Sequence, residues 1–135
     1  MMDRRFAFIM RGVPGSFKST TAKYLAGDTG VIHAVDDLHT HDGVFLWDED
    51  REEQRYQENF ELFRESCRRR VPVVVCDCMN LMKKDYQKYI DEAQGCGYIV
   101  CTVGMQNPSS NVAASRNEHD VTEEQICEML ERWED

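Results

Sequence analysis

Gly12-Val13-Pro14-Gly15-Ser16-Phe17-Lys18-Ser19-Thr20 decides how this chain is read. It follows the template G-x-x-x-x-G-K-[ST] at Gly12, Lys18 and Ser19, and departs from it at Phe17, which stands where the second glycine belongs. Small residues let backbone N–H groups turn inward toward phosphate oxygens, a following helix presents its positive end, and a lysine supplies a mobile cation. Residues 12–20 are therefore expected to cradle the phosphates of a nucleoside triphosphate, with the Ser19 hydroxyl on Mg²⁺. The alternative is an ordinary strand-to-helix turn, and Pro-Gly-Ser within the loop argues against it. A Cβ at position 17 opposes the geometry that glycine permits, at a cost of ~1 to 2 kcal/mol if φ is positive there.

Outward from this loop, apolar runs bounded by turn residues alternate with longer helical patterns, as repeated βα units on a parallel sheet require. Strands are expected at 6–10, 31–35, 71–76 and 98–103, and the β-branched content of the middle two suits strands buried on both faces. Helices are expected at about 18–26, 49–69, 83–94 and 122–133, the last opened by the capping-box pair Thr122 and Gln125. Residues 106–110, with Pro108, read as an exposed turn. A length of 135 residues suits one domain, so the expected architecture is a single three-layer α/β P-loop fold over 1–135 with about four parallel strands.

Composition narrows the partners. Sixteen Lys and Arg against 25 Asp and Glu give a net charge of −9, so any contact with a polyanion has to be local. The run Arg68-Arg69-Arg70 reads as the solvated end of a helix. No apolar run approaches the ~18 residues of a membrane span, and the charged start Met1-Met2-Asp3-Arg4-Arg5 is unlike a signal peptide, so a cytoplasmic or otherwise intracellular place without membrane contact is expected. The cysteines 67, 76, 78, 96, 101 and 127 lack framework spacing and are expected as free thiols; zinc on Cys76 and Cys78 with His39 and His41 is the less favoured alternative.

Four segments recur in one order: Gly12 to Thr20; Val35-Asp36-Asp37; Val75-Cys76-Asp77-Cys78-Met79-Asn80; and Ser115-Arg116-Asn117-Glu118-His119-Asp120-Val121. In this set the chain resembles the polynucleotide-kinase-like P-loop kinases. That group includes the kinase domain of bacteriophage 5′-hydroxyl polynucleotide kinase and the P-loop domain found with cyclic nucleotide phosphodiesterases. The resemblance runs over nearly the whole chain. It implies that Asp36 accepts the proton of an attacking hydroxyl, that Arg116 is a lid arginine neutralising the transferred phosphoryl group, and that Asp77 helps hold Mg²⁺. Asn80 is then a nearby substrate contact, or simply good turn chemistry. Asp37 reads as a turn or helix cap.

The departures bear on the acceptor. His39 stands where the bacteriophage enzyme has an arginine, which weakens the expected grip on an acceptor phosphate; His39 and His41 are candidate acceptor contacts, or simply exposed loop residues, and Met79 stands where related chains carry threonine. Phe45 or Trp47 could stack on a base or pack in the core. The expected function is transfer of the γ-phosphoryl of ATP to a hydroxyl, with the 5′-OH end of a nucleic acid as acceptor. Two alternatives stand beside it: a kinase of a small hydroxyl substrate, and a nucleotide-binding module whose catalysis is impaired by Phe17.

Overall fold

A computed structural model describes residues 4–38, 40–41, 44–45, 49–117 and 119–135, except for the side chains at 40, 41, 44, 45 and 49. The readings of His39, Phe45 and Trp47 therefore lie outside the described residues. The chain runs β1 (Phe6–Arg11), α1 (Lys18–Ala26), β2 (Val31–His33), α2 (Val35–Leu38), β3 (Thr40–His41), β4 (Val44–Phe45), a 3-10 turn (Glu49–Arg51), α3 (Glu52–Arg68), β5 (Val73–Asp77), α4 (Lys83–Gly95), β6 (Ile99–Gly104), α5 (Ser110–Arg116) and α6 (Glu123–Glu131).

Four parallel strands form the sheet in the order β2-β5-β1-β6, and β3 pairs with β4 in a separate antiparallel hairpin. β1 lies inside the sheet and is apolar on both faces, as buried parallel strands are. Ala7 and Ile9 point with Val74 and Cys76 into a core closed by Phe63 of α3 and Tyr89 and Ala93 of α4. Phe8 and Met10 point the other way, with Val75, onto Ala22 and Ala26 of α1. These are the three expected layers. β2 departs from expectation because it is an edge strand, and Val31 is 37% exposed.

The connections set the site. From β1 the chain crosses over β5 to reach β2, whereas from β5 it crosses back over β1 to reach β6. The chain thus leaves the adjacent strands β1 and β5 in opposite directions, opening a crevice at their carboxyl ends. Register puts Asp77 opposite Met10, beside the point where residues 12–17 leave the sheet.

The end of β2 moves for a local reason. β2 ends at His33, not at 35, because Ala34 O accepts from Asp37 N at 3.1 Å and the chain winds into α2. Asp36 and Asp37 thus sit on a short helix, where their carboxylates suit the first turn. Helix α5 was not expected. It begins at Ser110, the last residue of the stretch expected as an exposed turn, and its sequence Ser-Asn-Val-Ala-Ala-Ser-Arg carries little apolar periodicity. By contrast α6 opens as its sequence indicates, with Gln125 N donating to Thr122 Oγ1 at 3.2 Å and Thr122 N to Gln125 Oε1 at 2.9 Å.

Arg11 ties the carboxyl end of β1 to the C-terminal segment. Its guanidinium donates to the carbonyls of Asn80 (2.8 Å), Leu81 (3.0 Å) and Glu134 (2.5 Å), and lies 4.8 Å from the ring centroid of Tyr86 and 4.3 Å from that of Trp133. A buried arginine is tolerable only when its donors are matched in this way. Asn80, in a left-handed conformation with φ 51°, turns its amide to Met10 O at 2.7 Å.

Candidate active site

The carboxyl ends of β1 and β5 open into a cavity of about 490 Å³. Val13, Pro14, Gly15, Phe17, Lys18, Ser19 and Thr20 line one side of it, while Gly12 and Ser16 stand behind them and shape the loop. A Cβ on Gly12 would strike Ser16 Oγ, and one on Gly15, whose φ is +86°, would stand 2.6 Å from Ala113 O of α5. Gly15 is thus required by its positive φ and by the close approach of the α5 backbone, and it lets α5 dock on the loop. Val13 N donates to Asn107 Oδ1 at 3.0 Å, a second tie between the loop and the segment before α5.

Phe17 adopts φ 64°, ψ 21° at the N-cap of α1, so the loop keeps a glycine-like backbone with a phenylalanine in it. The left-handed conformation costs an L-residue ~1 to 2 kcal/mol. Its ring is not in the core; it is 58% exposed and lies 4.9 Å from the Arg116 guanidinium carbon. A cation–π contact at such a site contributes ~0.5 to 1 kcal/mol, which offsets part of that strain.

Lys18 is buried and donates to Asp77 Oδ1 at 2.5 Å. The strand end and the loop therefore hold each other through one ion pair. Across the cavity, Asp36 Oδ2 lies 3.5 Å from His119 Nε2, with the Asp36 side chain 56% exposed. Asp37 beside it has its pKa raised, first by partial burial and then by the charges of Asp36 and Asp77, against the pull of Lys23 and His119. Tyr56 and Glu52 of α3, with Cys78 and Met79 after β5, complete this wall. Burial, reinforced by the neighbouring Cys78, Glu52 and Asp36, keeps the Tyr56 phenol protonated.

Of the residues singled out in the sequence, Lys18, Asp36, Asp77, Arg116 and the exposed members of the loop face one cavity. Asn80 does not reach it, its amide being held by β1. Reading the sequence missed His119, Tyr56 and Glu52 as site residues. Only the segment Arg116-Asn117-Glu118-His119 carried a signal for any of them. In the sequence, residues 27–50 contain Asp28, Asp36, Asp37, Asp42, Asp48, Glu49 and Asp50 and no lysine or arginine.

With this geometry in place, the chain can be set beside known proteins. A chain of the Pnkp1/Rnl/Hen1 RNA repair complex superposes with a TM-score of 0.70 at 16% identity, over 98% of this chain and 45% of that one. A gluconokinase from Sinorhizobium meliloti 1021 superposes with a TM-score of 0.64 at 26% identity, over 98% of this chain and 78% of that one. The fold is that of the P-loop kinases. No family model matches the sequence. Human NEDD4-binding protein 2 is 28% identical over 134 residues, which make up 93% of this chain and 7% of that protein. The P-loop kinase fold thus accounts for nearly the whole chain, which spans only a small part of the curated relative it matches. Among the described residues, no helix is long and apolar enough to cross a membrane.

Proposed function

We propose that this P-loop domain transfers the γ-phosphoryl group of ATP to a hydroxyl acceptor. The observation that carries the proposal is the convergence of Lys18, Asp36, Asp77 and Arg116, from four separate segments, on one cavity at the carboxyl end of the sheet. Phosphoryl transfer needs positioning and charge neutralisation more than covalent chemistry. Lys18 leaves Asp77 for the phosphates, which replace one anionic partner with another. Asp36 orients the acceptor hydroxyl and takes its proton, and His119, whose Nε2 lies 3.5 Å from Asp36 Oδ2, restrains that carboxylate. Arg116 supplies a permanent charge and a planar donor fork for the transferred group.

The Ser19 hydroxyl and the Asp77 carboxylate are hard oxygen donors on the cavity wall. Among the described residues no cluster of three or more His, Cys, Asp or Glu forms a protein cage for a metal. A small set of hard donors fits Mg²⁺, which keeps several waters and completes its shell from substrate phosphates. Ser19 and Asp77 are the residues that would hold it, and the ion would supply neutralisation of the phosphate charge.

The 5′-hydroxyl end of a polynucleotide is the acceptor implied by the four shared segments, and the likeness to a chain of an RNA repair complex supports it. A second reading, a small uncharged hydroxyl compound such as a nucleoside or modified base, is favoured by the acidic stretch 27–50 with its lack of lysine and arginine. Salt separates the two. With a 5′-OH oligonucleotide, DNA or RNA, acceptor affinity should fall steeply as salt rises, since bound phosphates release counterions. A neutral acceptor should show a flat dependence. Absence of transfer to any oligonucleotide at any salt would exclude the first reading.

A further inference from the structure

We infer that Phe17 is a positioning residue, its ring holding the Arg116 guanidinium at the mouth of the phosphate loop. The inference rests on the phosphoryl-transfer reading of this site. It makes the one departure from the loop motif part of the machinery, where the sequence taken alone suggests damage.

Three observations support it. First, the backbone at Phe17 has the left-handed conformation that glycine adopts without strain, so the shape of the loop is retained. What the phenylalanine adds is only its side chain. Second, that side chain is 58% exposed, so core packing does not explain it, and what it meets is Arg116 at 4.9 Å. Third, Arg116 is the last residue of α5, the helix whose Ala113 backbone lies against Gly15 of the same loop. Helix and loop are therefore already registered, and the ring fixes where the arginine's long stem ends.

An aromatic ring suits this task better than a carboxylate. A carboxylate would hold the guanidinium by consuming its charge and its N–H donors. A ring attracts the cation through its quadrupole and leaves the in-plane donors and the full charge for an incoming anion. Among the described residues no carboxylate forms an ion pair with Arg116, whereas Lys18 is held by Asp77 until the phosphates arrive.

The test uses Phe17→Tyr, which keeps the ring, Phe17→Asn and Phe17→Gly, which tolerate positive φ without it, Arg116→Ala, and the double variant Phe17→Asn with Arg116→Ala. Two quantities are read: kcat for transfer, and the ratio of affinities for a non-hydrolysable ATP analogue and for ADP. Phe17→Asn and Phe17→Gly should each lower kcat about tenfold, while ADP affinity stays within about threefold. Phe17→Tyr should preserve both quantities, and Phe17→Asn should cause no further loss once Arg116 is alanine. The ATP-over-ADP ratio should fall to the same value in Phe17→Asn, Arg116→Ala and the double variant. A rise in kcat for Phe17→Gly, or an equal loss with and without Arg116, would overturn the inference. If the wild type transfers to no hydroxyl at all, the phosphoryl-transfer reading fails, and the affinity ratio still decides this one: an unchanged ratio in Phe17→Asn rejects it.

Discussion

His119 Nε2 stands 3.5 Å from Asp36 Oδ2, so the segment after α5 meets the carboxylate that is proposed as the base. In a charged or a hydrogen-bonded state the imidazole restrains the carboxylate without displacing it from the cavity. His119→Ala is expected to lower kcat about tenfold with nucleotide affinity unchanged, a smaller loss than removal of the Asp36 carboxylate, because general bases contribute ~10²- to 10⁴-fold. His119→Gln, which can still donate a hydrogen bond, should recover part of the loss. A nucleotide affinity that falls with kcat in His119→Ala would place His119 on the nucleotide side instead.

The buried pair Lys18 and Asp77 gives a prediction about stability. Asp77→Asn leaves the Lys18 ammonium without its anionic partner, and breaking a buried pair costs ~3 to 5 kcal/mol. The bare protein should melt well below wild type. Saturating ATP should narrow the gap, since the phosphates then become the partner of Lys18. A gap of equal size with and without nucleotide would mean that Lys18 does not leave Asp77.

Arg11 is expected to matter for folding before it matters for chemistry. Arg11→Met leaves three carbonyls, those of Asn80, Leu81 and Glu134, without their donor, and should destabilise the protein by ~2 to 4 kcal/mol in urea titrations. Arg11→Lys should not restore it, because a point charge cannot reproduce the fork or stack between Tyr86 and Trp133. Full rescue by lysine would reduce the role of Arg11 to its charge.

His33 links stability to pH. It is buried, its Nε2 lies 2.8 Å from Ser66 Oγ, and burial lowers its pKa from 6.5 to about 4. Between those values the unfolded chain binds a proton that the native state refuses, so stability falls as pH drops from about 6.5 toward 4, by ~2 to 3 kcal/mol from this residue. The urea midpoint of His33→Gln should therefore decline less on acidification than that of wild type. Parallel declines would remove His33 from the account.

The parts of this molecule that are local in sequence were legible in it. Helix α1 follows from a loop ending in Lys18, α6 from Thr122 and Gln125, and β1 and β5 from apolar runs with no polar face. The strand-to-helix loop was legible too, and the positive φ that the sequence left as a condition is found at its phenylalanine. What stayed hidden depends on contacts between distant segments. The one exception is local: Asp36 looks like a residue at a strand end until Ala34 O, three residues before Asp37, accepts from Asp37 N and makes a helix. The turn chemistry of Asn80 was visible, but its hydrogen bond to Met10 was not. Neither the meeting of Phe17 with Arg116 nor that of Asp36 with His119 has a trace in periodicity or spacing, because α5, which positions both partners, has almost no pattern of its own.

The central claim is that this cavity moves a phosphoryl group onto a hydroxyl with Asp36 as the base. Its most direct test is a single-turnover experiment with γ-labelled ATP and Mg²⁺, offering 5′-OH oligonucleotides and small neutral hydroxyl compounds in turn, with wild type and Asp36→Asn compared. The account predicts label on one class of acceptor with wild type, and a rate at least about 100-fold lower with Asp36→Asn at unchanged ATP affinity. Tight ATP binding without transfer to any acceptor, or equal rates for the two proteins, would contradict it.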